Sequence, residues 1–377
     1  MREQLAVLGG GRVGLPMALD LAADGQYAVT VFDRAAGAVS RARERGLEAR
    51  VVDLGDGGEL AKAIAPATLV VNAVPGFMGY AVLKTCLQHG KNVVDISFFP
   101  EDPFTLSALA QENGVTAVVD IGVAPGLSHV LVGYAAAGMD RVTDAEILVG
   151  GLPVERVWPY EYRAVFSPID VIEEYTRPAR LIEHGLVVEK AALSDLELID
   201  FPGIGTLEAF NSDGLRTLLV TVPADSMREK TLRYPGHVEK MRMLRETGFF
   251  GKRPVAVGGS WVAPLDLTAK LLFPLWEMRP GDRDLTVMRV EVMGFSRDKP
   301  VRARFDLLDY ADPVSGVHSM ARATGYTATV TARMLLAGKL AGRGLLPPEE
   351  LGRNDEWFEY LLAGLSARGI AVRRSEG

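Results

Sequence analysis

Four residues near the start of the chain have the types and spacing to seat a dinucleotide. In Leu5-Ala-Val-Leu-Gly9-Gly-Gly11-Arg-Val-Gly14, the three numbered glycines form G-x-G-x-x-G directly after an apolar run and at the start of an amphipathic stretch. Gly9 permits a tight turn, Gly11 lets the backbone approach a pyrophosphate, and Gly14 lets the following helix pack against the strand. Arg12 and Val13 complete the loop. The helix N-terminus then offers free N–H groups and the positive end of its dipole to the phosphates. Asp33 follows 19 positions after Gly14, where a carboxylate bonds the adenosine ribose hydroxyls and repels a 2′-phosphate. NAD is therefore the expected cofactor. The neighbouring Arg34 leaves NADP open, since a guanidinium accommodates the extra phosphate.

In an open α/β sheet the ligand lies at the carboxyl ends of the strands. The candidates there are Asn72, Val74 and Pro75 after the fourth strand, Asp95 and Ser97 after the fifth, and Asp120, Pro125 and Gly126 after the sixth. Asn72 and Ser97 serve equally well as turn residues bonding their own backbone, and Asp95 and Asp120 as caps of neighbouring backbone.

These positions need a parallel sheet behind them. Short valine-rich runs at Leu5–Gly9, Ala28–Phe32, Ala49–Val52, Leu69–Ala73, Asn92–Ile96 and Val115–Asp120 read as strands buried on both faces. Leu15–Ala23, Gly37–Arg45 and Tyr80–His89 read as the helices between them. Repeated strand–helix units imply a doubly wound sheet over residues 1–125. Ser128–Gly138 reads as a helix capped by Ser128. Residues 126–317 then look like a second α+β domain with a mixed or antiparallel sheet. Strands are expected at 142–150, 156–165, Arg216–Val222, Val255–Val262 and Leu285–Gly294. Helical patterns return at Thr324–Ala341 and Glu349–Arg368, with a last strand at Ile370–Arg373, and residues 318–377 are expected to rejoin the first domain.

The 377 residues are 48% hydrophobic and 24% charged, an ordinary globular balance. A formal charge of -7 argues against non-specific nucleic-acid binding. The single cysteine, Cys86, permits no internal disulfide, and no metal-ligand spacing is present. No signal peptide or membrane-length apolar run is seen, so a cytoplasmic location is expected.

From Asp120-Ile-Gly-Val-Ala-Pro-Gly-Leu-Ser-His129 onward the chain resembles the saccharopine dehydrogenase (reductase-type) superfamily. Val94-Asp-Ile-Ser97, Pro100-Glu-Asp-Pro103, Thr206-Leu-Glu-Ala-Phe-Asn-Ser-Asp-Gly-Leu-Arg216, Thr231-Leu-Arg-Tyr-Pro-Gly-His237 and Gly325-Tyr326 extend the resemblance over most of the chain. The Thr206-Leu-Glu208 and Tyr234-Pro-Gly-His237 stretches are most similar to the lysine 6-dehydrogenase branch. The resemblance implies hydride transfer between a nicotinamide and a C–N bond of an amino acid or polyamine, with a middle region that forms a homodimer. One departure stands out. Saccharopine-forming members carry Asp-Pro-Gly after the sixth strand where this chain has Ala124-Pro-Gly.

Oxidising a lysine ε-amine needs a base, because the amine has an unperturbed pKa of about 10.4 and only its neutral form releases hydride. The nominated proton carriers are His237, Asp95 and Glu208. His237 serves either as a carrier tuned near neutral pH or as an exposed loop histidine. Thr206, Arg216 and Arg233 are the nominated substrate contacts, with Arg216 and Arg233 as carboxylate anchors. The leading expectation is oxidation of L-lysine with NAD to the 6-semialdehyde. Reductive amination of the saccharopine or carboxynorspermidine type, and a non-catalytic redox sensor, are the alternatives. The polar run Thr206, Glu208, Asn211, Asp213 and Arg216 argues against the sensor.

Overall fold

Valine-rich runs separated by amphipathic helices dictate the first unit. The structure is a computed structural model that describes residues 2–340 and 344–376. The chain begins β1 (Glu3–Leu8), α1 (Gly14–Ala22), β2 (Tyr27–Asp33), α2 (Ala36–Glu44), β3 (Glu48–Val51), α3 (Gly57–Ile64), β4 (Leu69–Asn72), α4 (Gly76–Gln88), β5 (Asn92–Asp95). A 3-10 turn (Pro103–Leu106), α5 (Ser107–Glu112), β6 (Thr116–Val118) and α6 (Leu127–Ala137) follow.

After these come β7 (Arg141–Pro153), α7 (Pro168–Thr176), β8 (Ala179–Glu183), β9 (Leu186–Lys190), β10 (Glu197–Phe201), β11 (Gly205–Asn211), α8 (Leu218–Thr221), β12 (Ala224–Arg233) and α9 (His237–Glu246). The rest of the chain supplies β13 (Val255–Val257), β14 (Ser260–Val262), α10 (Pro264–Trp276), β15 (Asp284–Ser296), β16 (Lys299–Tyr310), α11 (Ser319–Leu336), β17 (Gly344–Leu346), α12 (Pro348–Arg353), α13 (Asp355–Ser366) and β18 (Val372–Glu376).

Two compact units result: Met1–Ala137 with Ala321–Ala371, and Gly138–Met320 with Val372–Gly377. The first holds an all-parallel sheet in the order β17-β6-β5-β4-β1-β2-β3. Leaving aside the added edge β17, this is the doubly wound dinucleotide-binding order. Leu8, Val70, Val93 and Ala117 are buried at its centre.

The second unit holds a nine-stranded mixed sheet. Its strands run antiparallel except that β12 pairs parallel to β7. Leu148, Leu207, Leu232 and Val287 pack in one of its cores. Tyr162, Tyr175, Phe210, Met241 and Trp276 pack in another, with helices α7, α9 and α10. Among the described residues no helix is long and apolar enough to cross a membrane.

Several expected elements differ. Residues 156–165 form no strand, because Pro159 interrupts the run and Tyr160 and Tyr162 turn edge-on to Trp276 instead. The stretch expected as a strand from Arg216 to Val222 contains the short helix α8, entered through Arg216 with a left-handed backbone (φ 48°). The expected strand Val255–Val262 folds back at Gly258-Gly259, whose φ of 55° and 85° suit a hairpin turn. Ser128 lies inside α6 rather than capping it, with its Oγ 3.0 Å from His129 Nδ1.

The helix expected at 349–368 breaks at Asn354, whose side chain accepts from the Trp357 amide (3.1 Å) and caps α13. The helix expected from Thr324 spans Ser319–Leu336, and its expected last residue, Ala341, lies outside the described residues. The last strand, β18, pairs with β16 of the second sheet and so does not rejoin the first.

Candidate functional site

At the end of β1 the glycines do separate jobs. Gly9 has φ 100°, and a Cβ there would lie 2.6 Å from the Ala73 carbonyl oxygen. A Cβ on Gly14 would lie 1.9 Å from the Gly9 oxygen. At Gly11 a Cβ would meet nothing within 4 Å, which is open space of the kind a pyrophosphate needs. No side chain caps α1, but within its first turn the Leu15 amide already donates to the Gly11 carbonyl (3.1 Å) and Pro16 has no N–H, so phosphate binding falls to the loop before the helix.

Asp33 is held from both sides. Its Oδ2 accepts from the Gly10 amide and its Oδ1 from the Ala35 amide, each at 2.8 Å. The carboxylate is thereby fixed against the glycine loop at the carboxyl end of β2. Arg34 beside it is exposed, as is Arg12 in the loop. Open space at Gly11, a helix start that no side chain occupies and a fixed carboxylate together fit a nicotinamide dinucleotide. The loop of Gly9, Gly11, Arg12, Val13 and Gly14 would hold its phosphates and Asp33 its ribose.

One strand away lies a buried polar cluster. Asn72 ends β4 in register with Leu8 of β1, the residue before Gly9. Its Nδ2 donates to Asp95 Oδ2 (2.7 Å) and, more weakly, to Ser97 Oγ (3.4 Å). The Ser97 hydroxyl and amide donate to Asp95 Oδ1 at 2.5 and 2.6 Å. Asn72 Oδ1 is buried and has no hydrogen-bond partner. Burial pushes the Asp95 carboxyl up to about 7, against the pull of the Ser97 and Asn72 bonds, and nearby Asp120 raises it further.

Val74 is buried, and Pro75 precedes the first turn of α4. Asp120 is buried with φ 51°. The following loop closes on itself, with the Gly122 amide donating to the Pro125 carbonyl (3.1 Å) and Gly126 packed against Gly122.

In the second unit the nominated residues meet in a different network. Arg233 is buried, with its Nη2 bonded to Glu174 Oε2 (2.6 Å), its Nε to the Tyr175 hydroxyl (3.2 Å) and its Nη1 to the Leu232 carbonyl (2.9 Å). The guanidinium carbon lies 4.6 Å from the Tyr162 ring centroid.

Tyr175 Oη lies 2.9 Å from His237 Nε2, and His237 Nδ1 lies 3.0 Å from the Tyr160 carbonyl oxygen. That carbonyl only accepts, so Nδ1 carries the proton and Nε2 receives the tyrosine O–H. Burial and the Arg233 charge push the imidazole down to about 3, and burial pushes the Tyr175 phenol up to about 12. His237 is thus neither an exposed loop residue nor a group that titrates near neutral pH.

Glu208 accepts from the amides of Gly236 (2.6 Å) and Val238 (3.0 Å), holding the turn that opens α9. Thr206 stands apart at the exposed start of β11, its hydroxyl on Asp200 (2.5 Å). Arg216 is buried in the loop before α8.

Sequence reasoning missed Glu174 and Tyr175, which sit on an unremarked helix, and Glu229, a buried neighbour of Asp213. Burial pushes Glu229 up to about 8, helped by Glu174 and Asp213, and its Oε2 has no partner. Nothing local in the sequence marks Glu229; only in the structure does a Cβ on Gly214 strike its carboxylate. No cluster of side chains that could hold a metal ion is present among the described residues.

Comparison with known proteins agrees with both units. Residues 5–118 match the family model "Saccharopine dehydrogenase NADP binding domain", and residues 122–370 match "Saccharopine dehydrogenase C-terminal domain". The first unit is therefore a nicotinamide dinucleotide-binding domain. Bovine mitochondrial alpha-aminoadipic semialdehyde synthase is 23% identical over 98% of this chain, which spans 47% of that protein's length.

Saccharopine dehydrogenase [NADP(+), L-glutamate-forming] of Saccharomyces cerevisiae is 24% identical over 96% of the chain and 97% of its own length. The solved structure of the L-Glu-forming saccharopine dehydrogenase from Saccharomyces cerevisiae shares the fold, with a TM-score of 0.82 at 19% identity over 100% of both chains. With the second family model alone covering well over half of its residues, the chain belongs to the saccharopine dehydrogenase family.

Proposed function

We propose that this chain is a nicotinamide-dependent oxidoreductase acting on a C–N bond of an amino acid or amine. Within that class we propose oxidation of the lysine ε-amine, with NAD preferred as the hydride acceptor and water then displacing ammonia from the iminium to give the 6-semialdehyde. One observation carries the reading: an unpartnered Asn72 carbonyl and an Asp95 carboxyl pushed to about 7 lie at the carboxyl ends of strands next to the glycine loop. Ligands of this architecture bind there.

The bound nicotinamide supplies a hydride acceptor. The chain's part is to take the proton that an alkylammonium must lose first. Ionised Asp95 accepts the Ser97 hydroxyl (2.5 Å), which leaves a serine lone pair to receive a proton from the amine while the serine proton passes to Asp95. Asp95 then holds one proton and the amine is neutral. The fixed Asp33 carboxylate supports NAD over NADP, since a 2′-phosphate would meet it directly.

Ala124, standing where saccharopine-forming members carry an aspartate, supports the smaller substrate. The alternative, cleavage of saccharopine with NADP, is supported by the printed function of the yeast relative, which the chain covers almost entirely.

Reduced-cofactor absorbance decides between the two. The protein is supplied with NAD or NADP and with lysine, saccharopine or other amines. Reduction of NAD by lysine alone is the expected result. Turnover of saccharopine with lysine inert would overturn the lysine reading and keep the class, whereas no turnover with any amine would overturn both.

A further inference from the structure

Gly79 lies inside α4 without a positive φ, so backbone conformation does not call for glycine there. Glycine also weakens a helix relative to alanine. Space explains it. A Cβ on Gly79 would lie 2.2 Å from Ser97 Oγ, 2.7 Å from Ser97 Cβ and 2.9 Å from Phe99 Cδ1. Gly76, one turn earlier on the same face, repeats the pattern: a Cβ there would lie 2.5 Å from the Phe98 carbonyl oxygen. The bare backbone of α4 therefore sits directly on Ser97–Phe99.

The Ser97 hydroxyl occupies the space that a side chain at position 79 would need. From that space it donates to Asp95 Oδ1 at 2.5 Å and accepts weakly from Asn72 Nδ2 at 3.4 Å. A serine hydroxyl has only a few staggered places. Filling the one beside Gly79 sends the oxygen to another, away from the Asp95 carboxylate.

We infer that Gly79 is a positioning residue, which by presenting no side chain holds the Ser97 hydroxyl on Asp95. This rests on the proton relay proposed above, in which that hydroxyl passes the proton of the amine to Asp95.

NMR of the full chain, isotope-labelled at its aspartate carboxyls, tests this without substrate. The Asp95 signal is the one absent from Asp95→Asn. Its midpoint lies at about 7, with the Ser97 bonds pulling it down. In Gly79→Ala it should rise by about one pH unit, the ordinary worth of a lost hydrogen bond to a charged group. Asp120 and Cys86 of α4 also act on Asp95 through their charges, and both are kept in the variant. Ser97→Gly should raise the midpoint likewise, and adding Gly79→Ala to it should raise it no further. A merely structural glycine would leave the midpoint where it is. If Gly79→Ala alone does not fold, Ser97→Gly in the same chain should restore folding. An unmoved midpoint in Gly79→Ala, a double variant shifted beyond Ser97→Gly, or a misfolded Gly79→Ala that Ser97→Gly does not rescue overturns the inference. No substrate enters this test, so its failure is distinct from a failure of the lysine reading.

Discussion

Two buried polar clusters, one in each unit, make opposite use of the same chemistry. Around Arg233 the bonds run in one direction: guanidinium to Tyr175, Tyr175 to His237, His237 to the Tyr160 carbonyl. Glu174 offsets the charge, and the imidazole is held far below its ordinary pKa. At the end of the parallel sheet, Asn72, Asp95 and Ser97 bond one another but leave Asn72 Oδ1 unused and a carboxyl pushed to about 7. A saturated network whose imidazole and phenol are held far from neutral pH builds architecture. A network with a spare acceptor and a proton near its balance point is where a ligand and a reaction belong.

The largest expected effect tests that contrast at its active end. Asp95→Asn keeps the side chain's shape and removes its proton equilibrium. Turnover should fall about 10²- to 10⁴-fold, the ordinary worth of a positioned base. The wild-type rate should rise with pH through about 7, where Asp95 becomes able to accept, and this break should vanish in the variant. A break that survives in Asp95→Asn would move the base elsewhere.

Glu174→Ala attacks the saturated network by leaving Arg233 buried beside no carboxylate. Chemical denaturation should show a loss near the lower end of ~3–5 kcal/mol, since Glu174 retains some solvent contact. The break near pH 7 should persist in that variant. Glu208→Gln should cost about 1–2 kcal/mol by weakening the bonds that hold the start of α9.

The last test concerns pH and stability. His237 is depressed from 6.5 to about 3. Its contribution is therefore complete above pH 6.5 and lost as pH falls toward 3. Glu229, raised from 4.5 to about 8, acts in the other direction, stabilising below pH 4.5 and losing that contribution as pH rises to 8. Denaturation midpoints across pH should fall on both limbs, and His237→Gln should flatten only the acid one.

Much of the first unit was legible because its signals are local. The glycine spacing, Asp33 and the valine-rich strands each declare themselves within a few residues. The helices of the second unit hide theirs. Pro168–Thr176 and His237–Glu246 are short amphipathic stretches whose apolar stripes, such as Val171, Ile172 and Tyr175, are made meaningful only by Phe210 and Trp276 far along the chain.

Thr206-Leu-Glu208 and Tyr234-Pro-Gly-His237 were both singled out as motifs, yet nothing in the sequence says that the glutamate of one holds the turn of the other. That relation exists only because β11 pairs with β12, setting Glu208 opposite Arg233. The chemistry of His237 was misread for the same reason, because burial is a tertiary property. Glu174 and Arg233 are likewise paired by folding alone.

The short final strand has a consequence for how the molecule can be taken apart. The chain crosses between its units after Ala137, after Met320 and after Ala371, and its last described residues pair at the edge of a sheet begun at Arg141. A single cut therefore cannot release either half intact. Residues 138–320 expressed alone would expose the β16 edge that β18 now covers, an invitation to unwanted strand addition.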